Sequence, residues 1–168
     1  MTAQLDGTQV ESRESRTKSK QTVTAHLIID GADRAIAFYR DAFGATETYR
    51  MPAADGRLMH AAIQIGDSAI YLADAYPEYG MPGPKDGASA VVIHLYVDDV
   101  DAVVAAAETA GATITMKPED TFWGDRFAKL IDPFGHHWSV AHTIEELTPA
   151  QMMERVPTEF GTAPCASE

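Results

Sequence analysis

Two rhythms of apolar and polar positions run along this chain, and their order occurs twice. Val23 to Ile29 is an apolar, β-branched run that predicts a strand. Ala32, Ala35, Ile36, Tyr39 and Phe43 then recur at spacings of three and four. That spacing predicts a helix over about Ala32 to Phe43 with one buried stripe, closed by Gly44. Thr46 to Met51 and Leu58 to Ile65 predict two strands, and the Asp55-Gly56 pair between them suits a hairpin turn. Gly66-Asp67 turns into a strand over Ala69 to Ala73. The β-α-β-β-β order then returns. Val91 to Val97 is a nearly continuous apolar run, the pattern of a central strand covered on both faces. A helix over Val100 to Ala110 carries Val100, Val103, Val104 and Ala107 on its stripe. Strands follow over Ala112 to Met116, Arg126 to Asp132 and His137 to His142, with Lys117 to Asp120 read as a turn.

The repetition extends to the residues themselves. His26-Leu27-Ile28-Ile29-Asp30 matches His94-Leu95-Tyr96-Val97-Asp98 at an offset of 68 residues (26 to 94, 30 to 98). A unit this long indicates a duplicated module rather than a solenoid repeat. In each copy an aspartate is placed to cap the helix: Asp30 or Gly31 in the first, Asp98 or Asp99 in the second. The expected organisation is a disordered leader over 1–21, module one over 22–75 and a Pro/Gly-rich linker over 76–90. Module two covers 91–147, a helix opened by Thr148-Pro149 covers 148–157, and a frayed tail covers 158–168.

Composition narrows the function. A 168-residue chain that is 45% hydrophobic can bury a core, and its net charge of −12 repels nucleic acid and anionic membranes. No apolar run approaches the roughly 20 residues of a membrane span. A single Cys165 allows no internal disulfide and no cysteine-based zinc cluster. The expected location is the cytoplasm.

The motifs Ala35-Ile36-Ala37-Phe38-Tyr39, Ile65-Gly66-Asp67-Ser68, Val97-Asp98-Asp99-Val100-Asp101 and Asp132-Pro133-Phe134-Gly135, set in tandem βαβββ modules, resemble the vicinal oxygen chelate superfamily. That group includes glyoxalase I, extradiol dioxygenases and the bleomycin and fosfomycin resistance proteins. Leu58-Met59-His60, Trp123-Gly124-Asp125-Arg126 and His136-His137-Trp138-Ser139 look more like its PhnB-like branch. The resemblance implies an α+β fold in which two mixed sheets curl into half-barrels around a cavity. It also implies a homodimer, and metal ligands in the first and last strands of each module. Aligned on these motifs, the ligand columns fall on Thr24, Tyr71, Val92 and Ser139, none of them a histidine or carboxylate.

The candidate ligand-binding residues are His26, His60, Tyr71, His94, Trp123, Arg126 and Ser139. His26 and His94 occupy equivalent repeat positions, so pseudo-symmetry would aim both into one cavity. Strand alternation places His60 with Ala62 and Gln64 on one face, and Ala61, Ile63 and Ile65 on the other. Trp123 offers a stacking surface. Asp125 and Arg126 either meet a polar ligand or hold a structural corner, in which Asp125 caps the backbone and Arg126 pairs with an acid. Ser139 is placed towards the cavity and Trp138 towards the helices, with His136 left to the turn. The leading expectation is a small-molecule binding protein for drug or metabolite sequestration, with no catalytic residue, metal set or cofactor assigned. The alternative is a lyase, isomerase or dioxygenase using zinc, manganese, nickel or iron on His26 and His94. An interaction protein without a ligand is the third.

Overall fold

The structure is a computed structural model that describes residues 21–84 and 89–158. The expected leader up to residue 20, linker residues 85–88 and the tail beyond 158 lie outside the described residues. The elements are β1 (His26–Ile29), α1 (Ala32–Phe43), β2 (Thr46–Pro52), β3 (Leu58–Ile65) and β4 (Ser68–Asp74), then a 3-10 turn at Pro77–Tyr79. The second set is β5 (Val92–Tyr96), α2 (Val100–Thr109), β6 (Thr113–Asp120), β7 (Asp125–Ile131) and β8 (His137–Thr143), followed by α3 (Pro149–Arg155). They form an α+β fold of two four-stranded sheets, ordered β1-β4-β3-β2 and β5-β8-β7-β6. In each sheet the first strand pairs in parallel with the last, and the remaining pairs are antiparallel. Among the described residues both sheets are open, and neither closes into a barrel. No described helix is long and apolar enough to cross a membrane.

Alternation decides which face of each sheet carries the helices. Ala61, Ile63 and Ile65 of β3 are buried, while His60 and Gln64 on the opposite face stay partly exposed. In β8, Trp138 is 1% exposed and meets Tyr39 and Phe43 of α1 at ring-centroid distances of 5.4 and 4.7 Å. The first module's helix therefore packs on the second module's core. The tie is polar as well: the Tyr39 hydroxyl donates to Asp132 Oδ2 at 2.7 Å, and the Trp138 indole donates to the same oxygen at 3.0 Å. Asp132 Oδ1 accepts the main-chain N–H groups of Phe134 and His136, both at 2.9 Å. Burial, then the Asp132 charge and hydrogen bond, push the Tyr39 phenol well above its ordinary range.

Three expectations need correction. Val91 to Val97 is not a doubly covered central strand: β5 is an edge strand paired with β8, and Val92, His94 and Tyr96 are exposed. Lys117 to Asp120 does not turn but continues β6, another edge strand with an irregular register, where Pro118 is tolerated. Asp30 does not cap α1; the N-cap residue is Gly31, the other position offered, which has no side chain to accept from the first turn. Asp74, from the end of β4, does so instead, accepting from Gly31 N at 3.0 Å and Ala32 N at 2.9 Å. Its other oxygen accepts from Leu58 N at 2.5 Å, which ties helix, hairpin and sheet together. In the second module Asp99 caps locally, accepting from Ala102 N at 2.9 Å. The helix expected after Thr148-Pro149 is present as α3, and it buries none of its residues. It is fixed by a Thr148–Gln151 capping box and by Arg155 paired to Glu145.

Candidate ligand-binding face

The helix-free face of the first sheet carries a ring cluster. Register sets His26 beside Tyr71, and Tyr71 beside Ala62. His60, two residues earlier on β3, reaches back across β4. The ring centroids of His26 and His60 are 5.5 Å apart, His60 and Tyr71 4.9 Å, and His26 and Tyr71 6.2 Å. Tyr49 of β2 joins from the outer side, 6.1 Å from His60. Partial burial, and then the charge His60 would carry, hold the His26 imidazole below the usual histidine range. An NMR titration is expected to place the His26 midpoint below 6.5, and His60→Ala to move it part of the way back. An unmoved midpoint in that variant would show that the two rings are not coupled.

The second sheet repeats this geometry with different chemistry. His94 lies beside Ser139, and His94 Nδ1 is 2.7 Å from Ser139 Oγ. Phe127 stacks near His94 at 6.2 Å, and Trp123 meets Phe127 edge-on at 5.5 Å. Tyr96 contacts the His94 ring at 4.6 Å. Phe127 is the repeat equivalent of His60, at the offset of 67 (60 to 127) that follows a one-residue slip between the copies. Thus one face is imidazole-rich and the other aromatic.

His26, His60 and Tyr71 are brought together, as are His94, Ser139 and Trp123 through Phe127. Among the described residues no hydrogen bond or ring contact joins the two groups. The grooves come closer than the rings. One of ≈480 Å³ runs from His26 to Ile93 and is walled by linker residues Pro82, Gly83 and Ala90. Another, of ≈550 Å³, runs from Ala25 to His94. The linker thus lines a groove as well as connecting the modules. Arg126 stands apart: it pairs with Asp101 at 2.5 Å and Asp120 at 2.8 Å, which raises its pKa and occupies its donors. Of its two readings, the acid pairing is the one the geometry supports. Asp125 is buried, accepts from Trp123 Nε1 at 3.1 Å and fixes that ring. Tyr49, Tyr96 and Phe127 were not singled out in the sequence. Phe127 was accessible from its match to His60.

The resemblance implies a divalent metal held by side-chain donors at the four aligned positions. The Val92 side chain has no ligating atom, and Ser139 Oγ already engages His94. Neutral Thr24 and Tyr71 hydroxyls are weak ligands for zinc, manganese, nickel or iron. Among the described residues no group of three or more His, Cys, Asp or Glu side chains could hold a metal ion. The residues present do not fit the four-ligand site.

A family model described as the Glyoxalase/Bleomycin resistance protein/Dioxygenase superfamily matches residues 20–140. The chain is 44% identical over 131 residues to uncharacterized protein Rv0887c of Mycobacterium tuberculosis, covering 74% of this chain and 76% of that one. A solved glyoxalase/bleomycin resistance protein/dioxygenase family enzyme from Burkholderia phytofirmans superposes with TM-score 0.60 at 22% identity, covering 71% of this chain and 96% of that one. Protein PA1353 of Pseudomonas aeruginosa superposes with TM-score 0.58 at 27% identity, covering 73% and 98%. With its tandem modules and a family match over most of its length, the chain belongs to the glyoxalase/bleomycin resistance/dioxygenase superfamily.

Proposed function

We infer that this chain is a PhnB-like member that binds a small organic molecule against the His26–His60–Tyr71 face, without a four-ligand metal site, and that its role is sequestration of a drug or metabolite. The observation that carries the reading is the three-ring cluster on a helix-free, solvent-facing sheet surface, beside a groove walled by the linker. Aromatic edges with a few polar nitrogens suit a planar ligand that accepts or donates one or two hydrogen bonds. A homodimer in the cytoplasm completes the proposal. Val92 and Tyr96 on one open face, and Tyr49 on the other, are 53%, 63% and 44% exposed, apolar surface that a second copy can cover. The net charge of −12 favours cationic ligands over anionic ones by long-range steering.

The test is native mass spectrometry of chelator-washed protein against a panel of cationic, neutral and anionic aromatic compounds. Binding in metal-free buffer is expected, at a mass of two 18.2 kDa chains. His26→Ala and Tyr71→Ala are each expected to weaken binding about tenfold, the equivalent of one lost polar or ring contact. Binding that appears only after refilling with zinc, manganese, nickel or iron(II) would replace this reading with the metal-dependent lyase, isomerase or dioxygenase.

A further inference from the structure

A further pocket lies between the β2–β3 hairpin tip and the Tyr76–Met81 turn, and it shares no lining residue with the histidine face. Its volume is ≈450 Å³, and its walls include Asp55, Arg57, Met59, Tyr76, Tyr79 and Met81. That size is in the range of small-molecule sites. The walls are fastened in advance. The Arg57 guanidinium lies 3.8 Å over the Tyr76 ring, pairs with Asp55 on the hairpin and Glu78 on the turn at 2.7 Å each, and donates to the Ala75 carbonyl at 3.3 Å. Tyr76 and Met81 form an isolated bridge that closes the turn.

Two features of this frame are unexplained by folding alone. Met59, Tyr79 and Met81 are 54%, 77% and 42% exposed, a ring of apolar side chains around one concavity. Tyr76, one of the wall residues, has a buried hydroxyl with no hydrogen-bond partner among the described residues. Charge is unbalanced at the rim, because two carboxylates share one guanidinium. Hydrogen bonding to Arg57 holds both Asp55 and Glu78 below the usual carboxylate range, so both stay ionised at neutral pH. Arg57 has its donors engaged and its face covered, so it offers little to an anion.

We propose that this pocket binds a small organic cation with an apolar, aromatic body. The Tyr79 face attracts the cation, the two thioethers adapt to the body, and the surplus rim carboxylate sets the sign of charge. The site is independent of the histidine face and does not need it to be occupied.

The test is a titration of ¹⁵N-labelled protein with benzyltrimethylammonium, followed by amide chemical shifts. Saturable shifts are expected within residues 53–59 and 76–81. Phenylmethanesulfonate, an anion of similar size, is expected to give none there. Tyr79→Ala removes an exposed side chain and should leave the fold intact while weakening binding about fivefold. His26→Ala should leave the titration unchanged. The proposal is overturned if these segments do not shift, if the anion shifts them equally, or if Tyr79→Ala binds as the parent does.

Discussion

Replacing Asp132 with alanine is expected to lower the unfolding free energy by about 4 kcal/mol and the melting temperature by on the order of 10 °C. Asp132 is 3% exposed and collects four hydrogen bonds: from the Tyr39 hydroxyl, the Trp138 indole and the main-chain N–H groups of Phe134 and His136. Alanine leaves these four donors without their acceptor, and each buried orphan costs about 1–3 kcal/mol before relaxation. The site is also the polar tie between modules, since Tyr39 belongs to α1 and Asp132 to the β7–β8 turn. Burial alone would raise the Asp132 pKa, but donors from His136, Tyr39 and Trp138 outweigh it and hold the carboxyl below its ordinary range. The folded-state pKa is thus below the unfolded value of about 3.9, so this stabilisation is present above the unfolded pKa and is lost as pH falls through the folded one. Urea unfolding followed by circular dichroism checks both parts. Wild type should lose stability below about pH 4, while Asp132→Asn, which keeps the shape but not the charge, should show a flatter acid limb. An Asp132→Ala protein within about 1 kcal/mol of wild type would refute the assignment of this carboxylate as the joint.

What the sequence revealed and concealed divides along the range of the interactions. Helix stripes, hairpin turns and strand alternation are local, and they put Ala61, Ile63 and Ile65 inside and His60 outside. Trp138 fell on the helix-packed face for the same reason, which leaves Ser139 on the opposite one. Strand order is not local. The apolar run at β5 looked like a buried strand, yet pairing with β8 on one side leaves it at an edge with Val92 and Tyr96 exposed. Asp30 looked like the cap of α1 because it precedes the helix, but the side chain that performs the role is Asp74, 42 residues away from Ala32. The site follows the same rule. The repeat identified His26 and His94 as equivalents, which is a statement about position, not contact. Their actual neighbours are set by β1-β4-β3 and β5-β8-β7 ordering, which brings His60 to His26 across Tyr71 and Phe127 to His94 across Ser139.

The Trp123-Gly124-Asp125-Arg126 string carries the second large effect: Gly124→Ala is expected to cost about 3 kcal/mol, well beyond an ordinary glycine substitution. Gly124 has φ +97°, a region that L side chains rarely adopt. A methyl group there would also collide with the Glu145 carbonyl oxygen and press on the Leu147 side chain at 3.4 Å. The backbone cannot simply retreat, because the Gly124 carbonyl accepts from Ile144 N at 2.9 Å and Glu145 N at 3.0 Å. Those bonds stitch the chain leaving β8 to the corner before β7. Gly56 provides the control. Its φ is +87°, but an added methyl there meets nothing within 4 Å, so Gly56→Ala isolates the conformational cost of about 1–2 kcal/mol. The difference between the two variants in urea unfolding measures the collision. The corner also positions Trp123, through its indole bond to Asp125, against Phe127 on the aromatic face. Gly124→Ala should therefore alter the near-ultraviolet dichroism and emission of Trp123, whereas Gly56→Ala should not. Equal losses in the two variants, with unchanged tryptophan spectra, would mean that the corner yields freely and that Trp123 is held by something other than this turn.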